Sequence, residues 1–177
     1  MKLLKSTLLL GTLTLLLNSC GVKIPDYVTP INDFNAYAYG GKWYEIARFD
    51  FKYEKDLSNV TAEYTSNYDG TIKVVNKGYD YKKNKWKQAI GKAKYNGTIN
   101  QSTLKVSFFG PFYAGYNIVM MDPAYQTALV FGQSTDYIWI LSRTKTISEE
   151  TKQKFLAKAQ EAGYDLNRLV WTVQDQE

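Results

Sequence analysis

Glu45 lies between aromatic and apolar neighbours, Trp43-Tyr44 before it and Ile46-Ala47 after it, and a carboxylate there raises the question of chemistry. The residues that usually accompany such chemistry are missing. The chain has no histidine, and its single cysteine, Cys20, closes an apolar leader. A Ser-His-Asp or Cys-His relay cannot be assembled from this composition, nor can the customary histidine or thiolate zinc site. Carboxylate and Ser/Lys chemistry stay formally open. A core-facing Glu45 would need a partner, which one of the 15 tyrosines could supply. A catalytic role for it has nothing else in its favour. The other concentrated charge is Lys82, Lys83, Lys85 and Lys87 around Trp86, a solvated hairpin before it is a clamp for an anionic head group. No residue is assigned as catalytic, and the sequence calls for no metal and no cofactor.

The elements that must position Glu45 read as strands. Residues 40–51, GGKWYEIARFDF, mix apolar and polar side chains without a 3.6-residue repeat, which marks a first β-strand after a glycine bend. Trp43, Glu45 and Ala47 share one parity. Residues 59–68 alternate, with Val60, Ala62 and Tyr64 on one face, and Asp69-Gly70 supplies a hairpin turn. Further strands fit 72–79, 88–95, 103–108, 116–121, 127–131 and 137–142. Eight short strands with short turns predict an all-β fold, an eight-stranded antiparallel up-and-down β-barrel able to hold one small ligand. One C-terminal α-helix follows, with Ser148 as cap, Glu149 and Glu150 at its positive end and Gly163 as stop. Phe155, Leu156, Ala159 and Ala162 share a face that packs outside the barrel. Strand 137–142, apolar on both faces, is its partner, and residues 169–173 can add a short final strand.

The N-terminus speaks to compartment. Lys2 and Lys5 precede an apolar run from Leu8 to Leu17, too short to span a bilayer and suited to export. Leu17-Asn18-Ser19-Cys20 resembles a lipobox, so residues 1–19 read as a lipoprotein signal peptide, 20–35 as the lipidated N-terminus and tether, and 36–177 as one domain. A plain secretory signal with an incidental cysteine is the alternative. Removing the signal lowers the net charge from +5 to +3, and a nucleic-acid partner would call for a denser basic face. Gly21, in place of aspartate after Cys20, points by the usual sorting pattern to the outer membrane.

Gly41-Lys42-Trp43 is the G-x-W with which lipocalins open their barrel. WYEIARFD at 43–50, LKVSFFGPFYAGYN at 104–117 and WILSR at 139–143 extend the match, so the chain resembles the bacterial outer-membrane lipocalins, relatives of apolipoprotein D. The resemblance implies that Arg143 lies across Trp43 at the closed end of the barrel, in a structural role. It also places the family's T-D-Y motif at Asp122, with Pro123, Ala124 and Tyr125 following, and not at the tempting Thr135-Asp136-Tyr137, which begins a later strand. The missing threonine and displaced tyrosine put the geometry of that turn in question.

If the first strand starts at the closed end, parity puts loops 50–58, 80–87, 109–115 and 132–136 at the mouth. Phe51, Tyr53 and Phe109 to Tyr113 make that rim aromatic. An apolar interior under aromatics and lysines suits a long-tailed molecule with an anionic head, and the resemblance implies the same class: fatty acids and lysophospholipids, held for storage, transport or envelope maintenance. Candidate ligand contacts are Ala47, Phe49, Val60, Ala62, Tyr64, Val106, Phe108, Phe112, Tyr113, Tyr116 and Trp139. Small barrels also fill themselves with side chains, so an envelope lipid-modifying enzyme and a structural lipoprotein with a filled barrel are the alternatives. The expected partners are a small lipid ligand and, through Cys20, the membrane on its periplasmic face. A homodimer is compatible with each reading.

Overall fold

Period-two alternation sets the architecture. The computed structural model describes residues 21–176, so the leader and Cys20 lie outside the described residues. Among those described, the strands are β1 (Gly41–Phe49), β2 (Leu57–Ser66), β3 (Ile72–Asp80), β4 (Lys85–Tyr95), β5 (Thr103–Phe109), β6 (Phe112–Met121), β7 (Thr127–Phe131), β8 (Ile138–Ser142) and β9 (Leu169–Trp171). Each of β2 to β7 pairs antiparallel with the next, β8 pairs with β1, and β1 returns to β2, which closes an eight-stranded barrel. β9 lies beside the second half of β1. Closure leaves the barrel wall without a full-length open edge.

Two hydrophobic clusters follow from the two faces of this wall. Inside lie Trp43, Ala62, Tyr64, Ile72, Val74, Leu104, Tyr116, Ile118, Val130 and Leu141. Outside, Ile46, Leu129, Phe131, Ile138 and Ile140 meet Phe155 and Ala159 of α2 (Glu149–Glu161). β8 is thus covered on both faces, Trp139 and Leu141 inward, Ile138 and Ile140 under the helix. The helix starts where Ser148 Oγ accepts from the Thr151 amide, and it stops before Gly163, whose φ of +84° suits a residue without Cβ. Among the described residues both clusters are drawn from the barrel wall, the helix and the segment ahead of β1. Each large side chain buried there stabilises by roughly 1.5–3 kcal/mol.

The segment read as a tether is packed, not loose. Phe34 is buried in the interior cluster and Val28 in the outer one, while Tyr27 meets Phe131 and Tyr164 edge-on. Ser102 Oγ accepts from the Ile31 amide, and Asn96 exchanges two bonds with the backbone of Val22. The segment runs over the outside of the wall at Val28, and its end, Phe34 with α1 (Ala36–Tyr39) capped by the Asn35 side chain, closes the base of the barrel against Trp43.

β1 changes parity midway. Its register on β8 slips between Glu45 and Ala47, a bulge that sends both Ile46 and Ala47 outward and leaves Arg48 inward. Ala47 and Phe49 therefore belong to the outer cluster facing α2, which corrects their placement as ligand contacts.

Candidate functional site

The β1–β2 loop, residues 50–56, folds across the open end. Phe51 stands edge-on to Tyr53, Tyr137 and Trp139, with ring centroids 6.0, 5.8 and 6.0 Å away. Tyr53 reaches the ring of Phe109 at 5.7 Å on the opposite wall. Tyr53, Phe109 and Phe112 stay largely exposed. The mouth is thus an aromatic rim, one side of it carried by a loop.

Beneath the rim sits a buried charge cluster. Arg48 Nη1 donates to Glu45 Oε1 at 2.7 Å, and both side chains are about 2–3% exposed. Thr172 Oγ1 donates to the same carboxylate oxygen. Arg48 Nη2 donates to the carbonyl oxygens of Glu54 and Leu57, tying the loop to β1. Glu54 Oε2 accepts from Trp139 Nε1 at 3.1 Å and lies 4.0 Å from Arg48 Nε. Burial pushes the Glu54 carboxyl up to about 8, and the nearby Glu45 charge adds to that rise. Burial also raises Glu45, although Arg48 and Thr172 pull against it. Three carboxylates, counting half-exposed Asp50, thus share one guanidinium, and the most buried loop carboxyl holds its proton at neutral pH.

The floor is a chain of phenols. Tyr116 Oη lies 2.7 Å from Tyr39 Oη and 2.8 Å from Tyr64 Oη. Burial raises all three hydroxyls well above the usual range, so they remain neutral donors and acceptors. Above this floor the β3–β4 wall is lined by small side chains. Pairing places Asn76 opposite Ala62 and Ala89, and Gly78 and Gly91 follow the same parity. Ala89 faces inward and is nevertheless exposed, so the upper barrel is open to solvent. Lys87 also faces in, its ammonium 2.7 Å from the Asp80 carboxylate, which it holds below its ordinary value.

Of the candidates named from sequence, Val106, Phe108 and Trp139 are partly buried on the interior cluster; Ala62, Tyr64 and Tyr116 form its deeper part. Val60 is buried and sits beside Gly78, where an added Cβ would come 3.1 Å from its Cγ2. Phe112 is on the rim. Tyr113 is not: its ring lies on the outer surface between the ammonium groups of Lys94 and Lys105, because alternation along β6 turns it away from Tyr116. At the closed end Arg143 Cζ lies 3.9 Å from the Trp43 ring centroid, and its nitrogens donate to the carbonyls of Ala38, Tyr39, Gly40, Lys42 and Tyr125. Asp122 accepts from the amides of Ala124, Gln126 and Thr127 and from Thr127 Oγ1. Thr127 thus supplies the hydroxyl that the turn motif lacks at its first position.

Arg48 and Glu54 escaped the sequence reading. The available signal is a second charge in the same strand, three residues after Glu45; Arg48, not a tyrosine, is the partner of that carboxylate. Among the described residues no group of three or more His, Cys, Asp or Glu side chains is arranged to hold a metal.

A family profile described as "Lipocalin-like domain" matches residues 34–174. The outer membrane lipoprotein Blc of Escherichia coli (strain K12) is 50% identical over 150 residues, covering 85% of each chain. The Vibrio cholerae protein of the same name is 45% identical over 162 residues, 91% of this chain and 94% of that one. Rat apolipoprotein D is 34% identical over 130 residues, 67% of this chain and 66% of its own. Among solved structures, lobster apocrustacyanin A1 superposes with a TM-score of 0.65 at 20% identity, over 87% of this chain and 94% of that one.

Proposed function

The chain belongs to the lipocalin family, and on that premise we propose that its barrel carries one amphipathic lipid, a fatty acid or lysophospholipid, for storage, transport or envelope maintenance. In this reading lipidated Cys20 anchors it to the outer membrane, facing the periplasm, in keeping with relatives named outer membrane lipoproteins. The supporting observation is the upper barrel, where inward-facing Ala89 on β4 is exposed to solvent between a phenolic floor and an aromatic rim. Lys87, partly exposed beside Asp80, is the inward cation that an anionic head group would meet. An acyl chain of about a dozen carbons offers roughly 0.8 kcal/mol per buried methylene, ample for capture without chemistry. Glu45 is held by Arg48 and Thr172, which makes it a counter-ion and not a free base.

Native mass spectrometry of the chain from Gly21 onward, purified without detergent and then titrated with lysophospholipid, tests this reading. One saturable adduct per chain, or per dimer, is the expected result. A bare mass throughout would move the filled, structural barrel to the front.

A further inference from the structure

β4 and β5 part company halfway along the wall. Their ladder runs from Tyr95↔Leu104 to Lys92↔Ser107 and ends there. Beyond it β4 continues back to Lys85 paired with β3 alone, while β5 turns off toward Gly110. A groove of about 530 Å³ opens along this seam, lined by Lys73, Ile90, Gly91, Lys92, Ser107 and Phe108 among others. Its volume falls in the range of ordinary small-molecule sites.

We infer that this seam is a second lipid subsite, a lateral slot that takes a single-chain anionic amphiphile with its tail along Ile90, Gly91 and Phe108 and its head group between Lys73 and Lys92. The inference rests on the lipid-carrier reading above. Several independent features bear on it. Ile90 is outward-facing and 56% exposed, a large apolar side chain left on the groove wall. Ser107 is 8% exposed, and its hydroxyl is buried without a partner at the groove; a buried hydroxyl of this kind is costly unless something accepts from it. Gly91 lets the Phe108 ring lie against the backbone, since an added Cβ would stand 2.8 Å from Phe108 Cδ1 and from the Ser107 carbonyl oxygen. Phe108 also packs on the interior cluster. One ring therefore separates the slot from the chamber, and its rotation would join them.

The test titrates the chain from Gly21 with oleate, and with dodecanol as the uncharged counterpart, by native mass spectrometry. Nitrogen-15 NMR with stearate bearing a nitroxide near its carboxyl locates the head group. The expected result is two oleate equivalents, with the nitroxide broadening the amides of Ile90, Lys92 and Ser107. The Lys73→Glu/Lys92→Glu double variant should weaken the second equivalent about tenfold, leave the first intact and bind dodecanol as before. One equivalent only, with broadening confined to mouth residues such as Tyr53 and Trp139, overturns the slot and leaves the carrier reading standing. Equal loss of oleate and dodecanol in the double variant would also overturn it, because the lysines would then be acting on the fold. Absence of any oleate adduct in the unaltered chain removes both.

Discussion

Arg48 and Glu45 meet 2.7 Å apart inside the wall of the barrel, on the two sides of a bulge in one strand. The bulge makes the pair possible. Three residues apart on a regular strand, the two side chains would point to opposite faces; the extra residue turns both inward.

Breaking that pair should be expensive. Arg48→Met leaves Glu45 buried with Thr172 alone, and the expected loss is about 3–5 kcal/mol in urea-induced unfolding. The double variant Arg48→Met/Glu45→Leu should recover a large part of it, because no uncompensated charge remains. Equal losses in the single and double variants would mean that the guanidinium acts through its bonds to the loop carbonyls.

Glu54 should make stability depend on pH. Its folded pKa is raised to about 8 from an ordinary 4.5, with Glu45, Asp50, Arg48 and Trp139 facing it. Below pH 4.5 both folded and unfolded chains hold the proton, and the contribution is fully present. As pH rises toward 8 the unfolded chain releases its proton and the folded one does not, so stability falls across that window and the loss levels off above it. Melting curves from pH 5 to 9 should show the decline, and Glu54→Gln should flatten it.

Arg143→Ala removes both the stack on Trp43 and the donors to five carbonyls at the closed end. A loss of roughly 2–4 kcal/mol is expected. Arg143→Lys should rescue little, since an ammonium has neither the plane nor the fork. Lipid binding at the mouth should be retained in whatever fraction stays folded, as dye-displacement titration would show.

Tyr116→Phe deletes the middle hydroxyl of the phenolic floor and strands those of Tyr39 and Tyr64. About 1–3 kcal/mol should be lost. Thermal unfolding measures this directly, and an unchanged melting temperature would show that water takes the vacated place.

The barrel itself was legible because alternation in β2, β5 and β8 is local information: Val60, Ala62 and Tyr64, or Trp139 and Leu141, declare their face by spacing alone. The closed end was legible through Trp43 and Arg143, on the strength of family resemblance. Around Ile46 the signal failed. Ala47 and Phe49 are apolar, as interior residues are, yet β1 is covered on both faces there, so composition does not tell inside from outside; only its register against β8 does. Glu54 was invisible for a different reason. It lies in a loop, where no periodicity exists, and its burial comes from that loop folding over Trp139.

The stretch after β9 stitches β1 to β2. Thr172 donates its amide to the Ile46 carbonyl and Asn59 donates its own to Val173; the Gln174 side chain bridges the carbonyls of Glu45 and Val60 across 129 and 114 residues of sequence. A nascent chain that has already presented β1 and β2 still lacks the piece that seals them. Closing loops of that length costs entropy before it is repaid, and slows folding. The β1–β2 ladder from Gly41↔Tyr64 to Tyr44↔Thr61 thus gains its flanking bonds only after residue 174 has been synthesised.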